Sequence, residues 1–503
     1  MSMESASVSR WAVPLLGVAG GVAMADPNVA STALVEASRG LAMPTSWIPV
    51  AASVENYSTA ATVVTTGLLA DRLGRRRVFM AALALVAASE LLTAAAPVSL
   101  VYLLGRAITG IAMGAIFGAA FAYVRAVAKQ GQLGSALGVF GAAATVTMMV
   151  ISLMGGGLAS LGWRLAFCLI TVLALLVLAL VPRLLPPIPT VGSGPADIGG
   201  QILLGIAVVL PLYALSRAGT PGPAVWAALA VGVIAFVGFV MIERLGSHPF
   251  FPLGLFRDRI YLAAILMGLG WNMAQAILVL QLANLWQYIE GWSTMTVALA
   301  TLPAYVFGMA ASVYTGRRVS AGVSPRTVAV IGFALMTVGF AVLAWYRDGG
   351  SLWPFPVALV LVGMGTQAVS VPYGALIVQV APRQYYGPVT SSRTTIGQMG
   401  YAVGLAGATV LIDRMTTDGI IARLQAAGVS PTRIAEAQSV ISLYVEAGTE
   451  ETTQLARMAL QNAAQSYAQA FATTMGVVAA VMLVMGVGVA LLLRGRSSAS
   501  SAS

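Results

Sequence analysis

Continuous apolar runs of about 20 residues recur along this chain from one end to the other. "RLAFCLITVLALLVLALVPRL", 164–184, is one of them. A run of this kind does not alternate, so it cannot be a strand of a membrane barrel. A helix satisfies its own backbone hydrogen bonds in lipid, and that is the fold such runs dictate. Candidate spans lie at 11–37, 47–70, 78–97, 100–124, 134–158, 165–186, 198–216, 224–242, 259–285, 294–315, 327–346, 353–380, 388–412 and 467–493. Only 9% of the 503 residues are charged, against about 25% in a soluble protein. The fold class is therefore an all-α polytopic membrane protein with about fourteen spans.

An even count puts both termini on one side. Arg and Lys in the connecting segments favour that side by about two to one, which predicts cytoplasmic termini and a multi-pass protein of the inner (cytoplasmic) membrane. The net charge of +10 sits in short loops rather than in one patch, so no nucleic-acid partner is expected. Cys168 is the single cysteine and His248 the single histidine, which leaves no disulfide and no metal site of these residues. The first span lacks a cleavage site and a polar mature start, and is expected to be retained.

Two linkers divide the chain. "PIPTVGSGPAD", 187–197, is rich in Pro and Gly, and "ERLGSHPFFPLGLFRDR", 243–259, is polar. The expected organisation is a six-helix bundle over 11–186, a linker with two inserted helices over 187–258, a second six-helix bundle over 259–493 and a cytoplasmic tail over 494–503. The segment 413–466 reads as an extracytoplasmic loop with short amphipathic helices. Within it Gly428 is a helix stop, Ser430 an N-cap and Pro431 a first-turn residue.

Between the second and third spans stands "GLLADRLGRRRVF", Gly67 to Phe79. Gly67 permits close helix approach, Asp71 ends a span, Gly74 turns the chain, and Arg75, Arg76 and Arg77 anchor the loop. This stretch resembles the signature loop of the major facilitator superfamily, Gly-x-Leu-Ala-Asp-Arg-x-Gly-Arg-Arg. A weaker copy, "GRRVSAGVSPR", runs from Gly316 to Arg326, with Ser320 in place of the acid. Within the superfamily, the inserted pair of helices is similar to the fourteen-helix drug/proton antiporters. So are "ADPNVASTAL" around Asp26, "GRAITG" around Arg106, "LGWRLAF", "DIGG", "HPFFPLGLF", "QYIEGWS" with Pro303, and "GQMGYAVG". The resemblance implies two related six-helix halves, proton coupling, and a part for Arg106 in proton transfer. One departure stands out: Ile151 and Ser152 replace the Gly-Pro of the family's fifth span, a pair associated with antiport.

An ionisable side chain within a span costs about 2.5–3.5 kcal/mol or more, so it normally faces a cavity or a partner. Asp26, Glu55, Glu90, Arg106 and Arg393 are such residues. Asp26, Glu55 and Arg106 are the proton-coupling candidates. Asp26 can instead be held ionised by an arginine, or cap a helix that restarts at Pro27. Glu55 shares a face with Ser58 and Thr62. Glu90, in a span that the resemblance places toward lipid, is expected to be interfacial or structural. Arg393 is peculiar to this chain within the family pattern; it could pair with Asp26 or Glu55, or bind an anionic group. Cavity candidates are Asn56, Tyr57, Trp271, Asn272, Gln275, Gln281 and Arg393; Gln281 lies off the face shared by Asn272 and Gln275. Gly67, Asp71, Gly74, Arg75 and Arg76 form a candidate conformational latch, with Asp71 facing the start of the thirteenth span at Gly387–Pro388.

No P-loop is present and no catalytic triad, so neither an ATP-driven pump nor an enzyme is expected. The leading function is a secondary active transporter that exports drug-like or amphipathic compounds. It would work as a monomer in the lipid bilayer, without a cofactor, on the energy of the proton gradient. The alternative is a transporter of a lipid, glycolipid or anionic metabolite, with Arg106 and Arg393 as head-group ligands.

Overall fold

A computed structural model describes residues 9–44, 47–188, 190, 197–217, 222–246, 251–292, 294–346, 352–382, 385–426, 428 and 454–494. Fourteen long helices follow one another among the described residues. They are α1 (Ala12–Gly40), α2 (Ile48–Leu73), α3 (Arg75–Ala94), α4 (Ser99–Val127), α5 (Leu133–Leu161), α6 (Trp163–Leu184), α7 (Ile198–Ser216) and α8 (Pro223–Leu245). Then come α9 (Arg259–Asn284), α10 (Leu302–Ser320), α11 (Pro325–Leu343), α12 (Pro354–Val380), α13 (Tyr386–Ala426) and α14 (Gln454–Leu492). Thirteen of them contain a stretch long and apolar enough to cross a membrane. The other, α2, carries Glu55, Asp71 and Arg72, and its 26 residues make a rod of about 39 Å. There is no strand among the described residues.

One buried apolar cluster draws its members from residues 12–185. A second draws on 239–489, joined by Val63, Val64 and Ala122. The inserted pair α7–α8 lies against α2, where Val208 and Leu212 pack on Ala60. The two large clusters meet most closely where α5 begins and α10 ends. There a methyl group on Gly134 would stand 2.9 Å from the Gly316 carbonyl oxygen. Ser312 Oγ donates to the Gly138 carbonyl at 3.1 Å, and the Ser135 amide donates to Ser320 Oγ at 2.8 Å. Arg125 adds a bond to the Val378 carbonyl at 3.0 Å. The degenerate second loop copy, with Ser320 where an acid was expected, is thus part of this seam.

Two local expectations change. Pro27 does not restart the helix: α1 runs unbroken from Ala12 to Gly40 with Pro27 inside it. A helix packed over most of its length against α5 tolerates the loss of one hydrogen bond. Residues 413–426, expected as loop, continue α13, whose end is marked by Gly428 at φ +79°. Arg423 ties this extension to Gln465 and Gln469, which gives the helix a partner beyond its apolar part. Ser430, Pro431 and His248 lie outside the described residues. Finally, α5 is a continuous helix through Ile151 and Ser152, as the absence of proline there allows.

Candidate functional site

The α2–α4 contact sets Glu55 against Arg106 at the centre of the first half. Gly110, Gly114 and Gly118 form a stripe on α4. A methyl on Gly110 would stand 2.7 Å from Ser58 Cβ and collide with the Glu55 carbonyl; one on Gly118 would stand 3.0 Å from the Gly67 amide. With no side chain in the way, Thr59 Oγ1 reaches the Gly110 carbonyl at 2.9 Å. This brings Glu55 of α2 level with Arg106 of α4, one turn before Gly110.

Arg106 is 1% exposed and holds three carboxylates. Its Nη2 donates to Asp26 Oδ2 at 2.9 Å and to Glu55 Oε2; its Nη1 donates to Asp26 Oδ1 at 3.2 Å and to Glu90 Oε1 at 2.7 Å. The Asp26 contact is thus bidentate, the fork geometry that suits a guanidinium. Asp26 and Glu90 are both 0% exposed. Thr109 Oγ1 donates to Glu90 Oε1 at 2.7 Å and is itself 2.8 Å from Ser89 Oγ. The ring of Phe167 lies 5.4 Å from the guanidinium carbon. Tyr102, edge-on to Trp163 and Phe167, covers the cluster one turn away. Glu90 Oε2, Arg106 Nε and the Tyr102 hydroxyl are buried without a hydrogen-bond partner among the described residues.

Asp26, Glu55 and Arg106 are therefore in one cluster. Glu90, expected to be interfacial or structural, is buried and is a fourth member. Its place on α3 faces α4 rather than lipid, and the signal was available: Glu90 and Thr109 are both polar within apolar spans. Arg393 does not pair with Asp26 or Glu55, because Arg106 already occupies both. Its guanidinium carbon sits instead 3.8 Å from the ring centre of Phe121, 4.8 Å from Tyr373 and 5.2 Å from Trp271. Its Nη2 contacts Ser370 Oγ at 3.3 Å.

The cavity candidates scatter. Gln275 lines a central cavity of about 40 Å³ between the halves, together with Met24, Thr145, Tyr305, Thr366 and Gln367. That volume holds a few waters at about 10–15 Å³ each. Trp271 belongs to the cage of Arg393. Asn272 donates to the Gly268 carbonyl at 2.8 Å and packs on Gly397. Gln281 donates to Thr409 at 2.9 Å and joins α9 to α13. Tyr57 turns outward, its hydroxyl 2.7 Å from Ser216 on α7. Asn56 is half-buried beside it. Sequence reasoning missed Tyr305, Gln367 and Phe121. Aromatic and amide residues in apolar helices look alike until the helices are assembled.

In the loop, Gly74 has φ +97°, a conformation that glycine adopts readily. Across this break Arg75 donates to Asp71 Oδ1 through Nε at 3.1 Å and Nη2 at 2.9 Å. Arg75 also reaches the Ala122 carbonyl at 3.4 Å, and Arg76 reaches Pro182 at 2.9 Å. Gly67 stands against Gly118. Pro388, at the start of α13, is buried, and α13 packs along α2.

Known proteins agree with this architecture. The chain is 26% identical over 360 residues to the multidrug efflux pump LfrA of Mycolicibacterium smegmatis, covering 70% of this chain and 71% of that one. It is 27% identical over 431 residues to the puromycin resistance protein pur8 of Streptomyces alboniger, 84% of each chain. The crystal structure of the human organic anion transporter MFSD10 superposes with a TM-score of 0.60 at 16% identity, covering 95% of this chain and 98% of that one. That likeness concerns the fold alone. The family model of the Major Facilitator Superfamily matches residues 16–405. This multi-pass membrane protein belongs to the Major Facilitator Superfamily.

Proposed function

We propose that this transporter exports drug-like or amphipathic compounds and draws on proton entry to do so. The observation that carries the reading is the cluster of Asp26, Glu55 and Glu90 around Arg106. Three carboxylates against one guanidinium leave a formal surplus of negative charge in a buried site. Such a surplus is costly, and each proton that binds a carboxyl reduces it. The titratable groups that face one another here are Asp26 on α1, Glu55 on α2, Glu90 on α3, and Tyr102 and Arg106 on α4. Protonation of Asp26 or Glu55 would loosen its hold on Arg106 and so the packing of α1 and α2 on α4. That links proton binding to helix movement. Likeness to multidrug efflux and puromycin resistance proteins supports drug-like cargo. Arg106, occupied by carboxylates, is a poor ligand for an anionic head group, which weakens the alternative cargo.

Positive-inside charge supports an inner-membrane location with cytoplasmic termini. Asp71, held by Arg75 at the end of α2, is the proposed latch, and α13, whose start was its expected partner, packs along α2. The test is uptake of radiolabelled tetraphenylphosphonium into proteoliposomes under an imposed pH gradient. Wild-type protein should accumulate it in proportion to the gradient. Asp26→Asn and Glu55→Gln should each cut the gradient-driven component at least tenfold. Full pH-driven accumulation in both variants would remove the cluster from the coupling mechanism.

A further inference from the structure

We infer that Arg393 and Trp271 form a binding site for a monovalent anion at the seam between the two halves, occupied by either chloride or the carboxylate of an organic acid. The inference does not depend on proton coupling. Arg393 is 6% exposed, and no ion pair to it is present among the described residues. Its Nε and the indole Nε1 of Trp271 are both buried, and neither finds an acceptor among the described residues. Arginine and tryptophan nitrogens donate only. What both lack is therefore an acceptor, and a second donor or a neutral apolar group would not serve. Buried polar groups are almost always paired, and those that are not call for an explanation.

Geometry narrows the ligand. Rings of Phe121, Tyr373 and Trp271 lie within 3.8–5.2 Å of the guanidinium carbon. Such contacts offset part of the charge, but they accept no N–H bond in the guanidinium plane. A ligand would reach that plane at its edge, where a carboxylate can accept two parallel bonds. Ser370 Oγ, 3.3 Å from Nη2, is the polar neighbour already there. Phe121 comes from the first half, whereas Trp271, Ser370, Tyr373 and Arg393 come from the second. Separation of the halves would lift Phe121 off the guanidinium and open the site to an anion.

The test is thermal unfolding of the full-length protein in lipid nanodiscs, starting from a chloride-free low-salt buffer. Sodium chloride or sodium benzoate is titrated separately. At least one should raise the unfolding temperature saturably: chloride alone identifies an inorganic ion, and benzoate identifies a carboxylate. Arg393→Gln should weaken that binding at least tenfold. Trp271→Phe keeps the ring and the arginine and removes only the N–H; it should weaken binding about threefold, and it decides the matter if Arg393→Gln does not fold. No saturable effect of either anion on the wild type overturns the site. So does wild-type anion binding in the variants.

Discussion

Arg106 and Arg393 are both buried inside the membrane-spanning bundle, and they are stabilised in opposite ways. Arg106 is surrounded by acids that outnumber it, and its charge is over-compensated. Arg393 is surrounded by aromatic rings, and its charge is only softened. The first arrangement has excess negative charge, so it can accept protons. The second has excess donors, so it can accept an anion. A buried arginine is thus not one kind of site; the groups around it decide what it binds.

The largest expected effect is on the over-compensated side. Arg106→Ala removes the one cation among three acids, and breaking a buried charge cluster in this way costs about 3–5 kcal/mol. Thermal unfolding should show a strongly destabilised protein, and tetraphenylphosphonium uptake should vanish. A stable, transporting Arg106→Ala protein would mean that the acids are already neutral and the contrast with Arg393 is false.

Next comes the packing that brings Glu55 to Arg106. Gly110→Val would drive a side chain into the Glu55 carbonyl and Ser58, an overpacking worth about 1–3 kcal/mol. The same change at Gly157, where a Cβ would meet nothing within 4 Å, should leave the unfolding temperature within the range of an ordinary helix substitution, under about 1 kcal/mol. Equal effects at the two glycines would remove the close α2–α4 approach as the cause.

A third arginine extends the comparison. Arg75 is paired with Asp71 across the loop, and Asp71→Asn weakens that pair without adding bulk. Turnover should fall about tenfold, equivalent to about 1.4 kcal/mol in the barrier, with tetraphenylphosphonium affinity kept. Unchanged turnover would reject the latch. The smallest effect is expected for Arg393→Lys, which keeps the charge but stacks less well on rings. It should lower stability by about 0.5–1 kcal/mol, measured by thermal unfolding without added anion. A loss as large as that of Arg106→Ala would show that Arg393 has a carboxylate partner after all.

Much of the molecule was legible in its sequence. The apolar runs specify membrane helices because lipid leaves the backbone no other partner, and thirteen of the fourteen long helices meet a simple length and hydropathy test. "GLLADRLGRRRVF" placed the loop and its glycine break at Gly74. Asp26, Glu55 and Arg106 were legible as candidates because charge in a span is rare. The length of α13 was not legible, since its last turns are polar and are tied to Gln465 and Gln469 on a helix far along the chain.

Pairing was the part that only tertiary structure could decide. Asp26 and Arg106 are 80 residues apart, Glu55 and Arg106 51. Periodicity reports which face of a helix a residue occupies, but not which neighbour that face meets. On sequence alone, Arg393 was as good a partner for Asp26 as Arg106. For Glu55 the glycine stripe of α4 settled the choice, because it lets α2 approach closely enough to deliver it to Arg106; for Asp26 the bidentate contact with Arg106 shows it. Arg393 was left at the seam between the halves, among rings contributed by α4, α9 and α12. By itself the sequence determined that this chain spans a membrane and carries buried charge. Which charges neutralise each other depends on distances of a few ångströms between helices distant in the chain, and only the assembled bundle sets those.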